Sequence, residues 1–177
     1  MKRILAFAGS NSSTSINHTL VSYVADQIKD HQVEVLKLTD YEMPMYSEDA
    51  EKEGFPAAAD TLKSKIESAD ALVISVNEHN GSWSAFFKNT MDWLSRLDRN
   101  FLGDKKVFLL STSPGKRGGL GALEFAQNMF PRFGATVLAS YSFPSFYENF
   151  SVEEQQITDH VISEEIQSLI TQFSDQI

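Results

Sequence analysis

Cysteine is absent from the 177 residues. Its absence excludes a disulfide frame, a thiolate zinc site and a cysteine nucleophile. Histidine is scarce: His18, His31, His79 and His160 are scattered without the spacing of metal ligands. Basic residues are in deficit, 15 against 24 acidic, for a net charge of −9. That balance speaks against nucleic acid or an anionic membrane as a broad partner. No apolar run approaches the roughly 18 residues of a membrane span. The first apolar run begins a few residues after Met1, which leaves no room for a signal peptide. A cytoplasmic protein is therefore expected. Two phosphate-binding signatures are also missing, G-x-x-x-x-G-K-[ST] and G-x-G-x-x-G.

What is present is an alternation of apolar runs and helical patterns. The length predicts one domain over residues 1–177, able to bury roughly 70% of its unfolded surface. Strands are predicted at Arg3–Ala8, Gln32–Leu38, Ala71–Val76, Lys106–Thr112 and Thr136–Ser142. Helices are predicted at about Ser15–Lys29, Ala57–Ser68, Ala85–Leu97, Leu120–Phe133 and Val152–Phe173. Runs such as "ALVISV" and "KVFLLST" are apolar throughout, as in parallel strands covered on both faces. The pattern predicts a doubly wound α/β domain. Ser151 and Glu154 fit a capping box that would start the last helix. The acidic stretch Thr39 to Pro56 reads as a long loop, either functional or simply solvated.

Five strands permit the order 2-1-3-4-5, which opens a crevice at the carboxyl ends of strands 1, 3 and 4. The three loops there have unusual compositions. The first, "GSNSSTSIN", offers hydroxyls from Ser10, Ser12, Ser13, Thr14 and Ser15 just before a helix. The positive end of that helix favours an anion. With nothing basic in the loop, one terminal phosphate suits it better than a pyrophosphate. Any single Ser there could equally be an ordinary N-cap. The second loop, "NEHNGSWS", carries Asn77, Glu78, His79 and Asn80, which can read or stack on a heterocycle, or leave His79 a plain exposed side chain. The third, "SPGKRGGL", places Gly115, Gly118 and Gly119 around Lys116 and Arg117. It reads as a flat backbone wall with two cations, or as a flexible loop. The helix between the second and third loops is apolar around most of its circumference, either as a large core helix or as one buried on two sides, against the sheet and against another subunit.

Three motifs in order resemble the NADPH-dependent FMN reductase family of flavodoxin-like proteins. Gly9, Ser10, Ser15 and Asn17 match its G-S-x-x-x-x-S-x-N. "EHNGSWSAFFKNTMDW" matches its E-[YH]-N-x-S…K-N-x-x-D-W, and "SPGKRGGLGAL" resembles its Gly-rich segment after strand 4. The resemblance covers Arg3 to about Ile170. It implies a flavodoxin-like five-stranded parallel sheet with bound FMN, and NADPH or NADH as hydride donor. Ser10, Ser15, Ile16 and Asn17 would hold the phosphate. Asn77, Glu78, His79 and Asn80 would line the flavin ring, with Ser113, Gly115 and Lys116 alongside. The acceptor would be a quinone, free flavin, azo compound or similar small molecule, and no protein acid or base need be essential. A homodimer or homotetramer is implied, with the Trp83–Leu97 helix at the contact. The chain departs from the family at Ser12, where members often carry Arg, and at Asn77 and His79, where many have Pro and Tyr.

Four rivals are weaker. A flavodoxin-type electron carrier would share the cradle but accept almost no hydride directly from NADPH. A flavodoxin-like protein that has lost FMN is a second. A serine hydrolase of the Gly-Asp-Ser class needs an acid beside its Ser, and here the tripeptide is Gly9-Ser10-Asn11. A receiver-like domain needs acids after strand 1, and "FAGSN" has none.

Overall fold

A computed structural model describes every residue from Met1 to Ile177. Five parallel strands form the sheet: β1 (Arg3–Ala8), β2 (Gln32–Val35), β3 (Ala71–Ser75), β4 (Lys106–Thr112) and β5 (Thr136–Phe143). Their order is β2-β1-β3-β4-β5. The connecting helices are α1 (Ile16–Gln27), α2 (Glu48–Glu53), α3 (Ala57–Ser68), α4 (Ala85–Leu97), α5 (Leu120–Met129), α6 (Phe146–Asn149) and α7 (His160–Gln176).

Strand alternation divides the core in two. Leu5, Phe7, Leu72, Ile74 and Leu109 face α3, α4 and α5, while Ile4, Ala6, Val73, Phe108 and Leu110 face α1 and α7. Every residue of β3 is buried, which is why its run is apolar without alternation. The edge strand β2 is mostly exposed and correspondingly polar at Gln32 and Glu34. No helix is long and apolar enough to cross a membrane.

Several boundaries differ from expectation for identifiable reasons. Strand β2 ends at Val35, and Leu38–Tyr41 instead forms a 3-10 turn that buries Leu38. Helix α5 ends at Met129 and gives way to a 3-10 turn at Phe130–Phe133, because Pro131 lacks the N–H that an α-helix would use. The capping box at Ser151 does not start the last helix. Ser151 Oγ does accept from Glu154 N–H at 3.2 Å, but the bond closes a small hairpin that pairs Phe150–Ser151 with Gln156–Ile157. Helix α7 starts later, capped by Asp159, whose carboxylate accepts from Ile162 N–H at 3.0 Å.

The stretch after Thr39 is not a bare loop. It contains α2 and lies along α4. Trp93 is fully buried there, its indole N–H donating to Pro44 O at 2.7 Å and its ring meeting Tyr46 and Phe55 edge-on. Asn89 accepts from Tyr46 N–H at 2.7 Å and donates to Pro44 O at 3.0 Å. Arg96 clamps Glu51 with two bonds, 2.8 and 3.0 Å. The second apolar side of α4 is thus covered by the protein's own segment.

Candidate active site

The carboxyl ends of β1, β3 and β4 converge as the strand order requires. Gly9 continues the ladder, donating to Ser75 O at 2.9 Å, and the chain then crosses α4. A Cβ on Gly9 would stand 2.6 Å from the Phe87 ring, so only glycine permits this crossing. Ser84 fixes it from below, donating to Gly9 O at 2.8 Å while it caps α4 by accepting from Phe87 N–H.

Beyond Gly9 the hydroxyls organise one another. Ser10 Oγ accepts from Ser12 N–H at 3.2 Å, and Ser12 Oγ from Thr14 N–H at 3.3 Å. Ser15 caps α1, accepting from His18 N–H at 3.1 Å. The cap leaves the Ser15 hydroxyl proton free to donate. Ile16 and Asn17, as first-turn residues, have N–H groups without a helical acceptor. A cavity of about 290 Å³ opens over these groups. Its walls are Ser10, Ser12, Thr14, Ser15 and Ile16 on one side and Asn77, Glu78 and His79 on another, with Thr112, Ser113 and Pro114 completing it.

Asn17 borders this cleft, but its side chain is 4% exposed and engaged within the fold. Its Oδ1 accepts from the Ser75 hydroxyl at 2.8 Å and from Thr112 N–H at 3.1 Å, and its Nδ2 donates to Thr112 O at 3.2 Å. It ties α1 to the ends of β3 and β4. Its backbone N–H, in the first turn of α1, has no helical acceptor. Glu78 is likewise committed. Its carboxylate accepts from Ala122 N–H at 3.1 Å, supplying α5 with the cap that Gly119 has no side chain to give.

The second loop is a tight hairpin, Glu78–His79 paired with Ser82–Trp83. Asn80 and Gly81 both take positive φ, 53° and 77°, as a type I′ turn demands. Asn80 therefore sits at the tip. Gly115 and Lys116 are exposed beyond Pro114. None of these three lines the cleft, whereas Ser10, Ser15, Ile16, Asn17, Asn77, Glu78, His79 and Ser113 are brought together. Sequence reasoning missed Tyr147, which reaches the cleft from α6 after β5. An aromatic following the fifth strand was the available signal.

Asn77 tests the fit of a flavin mononucleotide. It is 8% exposed, one end of its amide lies 3.4 Å from His79 Nε2, and Oδ1 is buried with no partner. Whichever way the amide is turned, one end lacks the hydrogen bond that buried polar groups normally have. A heterocycle edge in the cleft would supply it. At the opposite end, hydroxyls and free first-turn amides suit a phosphate, and the only carboxylate on the wall is bonded elsewhere. The residues fit FMN.

Fold and cleft together define a flavodoxin-like, mononucleotide-binding α/β protein. The sequence matches the profile of the NADPH-dependent FMN reductases over residues 2–148, and the chain belongs to that family. FMN and a nicotinamide nucleotide are accordingly its cofactors, and it is an oxidoreductase by class. It is 30% identical over 148 residues to an uncharacterised protein of Mycoplasma pneumoniae, covering 81% of this chain and 87% of that one. It is 40% identical over 79 residues to a quinone reductase of Escherichia coli K12, covering 44% of this chain and 42% of the relative, so that match spans less than half of either. Among solved structures it resembles the flavoenzyme NAD(P)H:(acceptor) oxidoreductase FerB of Paracoccus denitrificans. There the TM-score is 0.79 at 25% identity, with 99% of this chain and 96% of that chain covered.

Proposed function

We propose that the chain is an FMN-dependent NAD(P)H oxidoreductase that reduces a small acceptor such as a quinone, free flavin or azo compound. The observation that carries this reading is the pairing, in one cleft, of a hydroxyl and amide cradle at the start of α1 with the one end of the Asn77 amide that has no partner. Ser10 and Ser15 hydroxyls and the Ile16 and Asn17 amides would hold the phosphate. Asn77, His79 and Ser113 would face the ring. Bound FMN would supply the redox chemistry, taking a hydride from the donor and passing electrons to the acceptor. The chain's own residues bind and orient. No free carboxylate in the cleft is placed to act as an acid or base, since Glu78 is bonded to α5.

The relatives named as quinone reductase and acceptor oxidoreductase support the same reading. The test is a titration of flavin-free protein with FMN, followed by NADPH without oxygen. Tight binding and bleaching of the bound flavin are expected. Binding without bleaching would indicate an electron carrier, and no binding would mean the site has been lost. The same reading includes assembly into a dimer or tetramer, which sedimentation equilibrium tests.

A further inference from the structure

Two departures from the family pattern fall on one wall of the cleft. Asn77 stands where many members have Pro, and His79 where many have Tyr. Proline has no side-chain amide and tyrosine no ring nitrogen. Here the two side chains meet, one end of the amide lying 3.4 Å from His79 Nε2. Both backbones are fixed, so only the side chains can turn. Val76 N–H donates to Leu110 O at 2.8 Å, and Asn77 O accepts from Ser84 N–H at 3.3 Å. His79 is paired with Ser82 across the hairpin. Asn77 is 8% exposed, while the His79 ring is exposed and its Nδ1 has no protein partner.

An amide against an imidazole nitrogen has two arrangements. With Nε2 bare, the Asn77 NH2 donates to it and the carbonyl is left over. With a proton on Nε2, the ring donates to the carbonyl and the NH2 is left over. The first suits the empty cleft, because a buried oxygen without a partner is tolerated more readily than a buried N–H. It is the arrangement in the structure, with Oδ1 the unpartnered atom. An oxidised flavin reverses the preference. Its edge carries acceptors at the carbonyl oxygens and bare ring nitrogens, and a donor only at the imide N–H. An NH2 group suits that edge better than another carbonyl. The second arrangement is also the one that a doubly protonated ring can enter, because Nε2–H then has an acceptor.

Few other charges surround the ring. Glu78, beside it on the hairpin, is bonded to Ala122 N–H at the start of α5. Tyr147 reaches the cleft from α6, and Lys116 and Arg117 are exposed on the third loop. The first loop brings hydroxyls alone. The amide of Asn77 is the hydrogen-bond partner of the His79 ring.

We propose that Asn77 and His79 form a proton-linked latch on the flavin edge, in which a proton on His79 Nε2 turns the Asn77 NH2 toward the ring. His79 is then a positioning residue that acts through Asn77. The proposal rests on the flavin-reductase reading. It is tested by FMN titration of the flavin-free full chain, of Asn77→Ala and of His79→Gln, each at about pH 5.5 and about pH 8, the range in which histidine changes charge. The FMN phosphate and the other histidines change charge in all three proteins alike. The quantity read is therefore each protein's ratio of affinity at the lower pH to affinity at the higher. The unaltered protein's ratio is expected to exceed that of either variant by roughly two- to tenfold, the contribution of one net hydrogen bond. Equal ratios would overturn the proposal. A second measurement needs no variant that binds: nitrogen-15 spectra of the histidine-labelled protein at about pH 7, with His79 identified by its loss in His79→Gln. Nε2 is expected to be bare without FMN and protonated with it. The same state with and without bound FMN would overturn the latch and leave the flavin reading intact. If FMN binds at neither pH, the flavin reading falls and the latch falls with it.

Discussion

Replacing Asn17 by alanine separates two roles that one position can play. The side chain makes three internal hydrogen bonds, to Ser75 Oγ, Thr112 N–H and Thr112 O, at 2.8 to 3.2 Å. Each net bond contributes about 0.5–1.5 kcal/mol, and the buried Thr112 N–H would be left without an acceptor. The expected loss is about 3 kcal/mol. For a chain of this size each kcal/mol lowers Tm by roughly 2–4 °C, hence about 6–12 °C. Asn17→Asp keeps both accepting bonds but turns a second oxygen toward Thr112 O, replacing attraction with repulsion. It should also be destabilised, relieved in part by its position in the first turn of α1, where a negative charge is favourable. Urea unfolding of the flavin-free proteins measures the effect without any ligand contribution. Because Asn17 offers the phosphate chiefly its backbone N–H, FMN affinity at a temperature where the variants are folded should fall less than tenfold in Asn17→Ala. A variant as stable as the parent but with FMN binding lost would refute this reasoning, since it would make the side chain a ligand and not a tie.

Three further expectations concern the same region. Ser15→Ala removes a helix cap, about 1 kcal/mol seen in urea unfolding. It also removes a donor to the phosphate, about 1.5–3 kcal/mol, hence a roughly 10- to 150-fold weaker FMN titration. Gly118→Ala should unfold several degrees earlier in calorimetry: φ is +56°, costing about 1–2 kcal/mol for a side chain, and a Cβ would stand 2.5 Å from Phe143 O. His18, flanked by Lys37 and Asp40, has its pKa lowered in the fold by burial and by Lys37, so the unfolded chain binds the proton more tightly. Its contribution to stability is present above 6.5 and is lost as pH falls below it. His18→Gln should flatten the stability profile between pH 7 and 5 measured by urea unfolding, and an unchanged profile would contradict the placement of His18.

Much of this architecture is written in local pattern. The strands Arg3–Ala8 and Lys106–Thr112 are as expected, because strands covered on both faces must be apolar throughout. The crevice and its three loops follow from strand order alone. Other features depend on contacts that no single stretch announces. The Ser151 to Glu154 pattern makes its local hydrogen bond, yet the chain there turns into a hairpin because Ile157 pairs with Phe150. Asn80-Gly81 is a strong local signal for a hairpin turn, and the second loop closes there with both residues at positive φ. Asn17 and Glu78 belong to the motifs that carry the family resemblance, but their side chains act at a distance along the chain, on Thr112 and Ala122. Tyr147 lies outside the three loops that strand order singles out, and only the packing of the segment after β5 brings it to the cleft.

The two tryptophans divide the molecule's fluorescence between two surface segments that each indole pins. Trp83 closes the hairpin of the second loop and donates its indole N–H to Ala122 O at 3.1 Å, among Phe87, Phe125 and Phe130. Trp93 is held by Pro44 O beneath the segment that covers α4. Each indole is therefore a built-in optical reporter of one loop. In a Trp83→Phe background, a red shift of the remaining emission registers release of the covering segment from α4. In a Trp93→Phe background, the signal follows the hairpin that borders the cleft. The same chain can thus be watched opening at either place, in solution and without an added label.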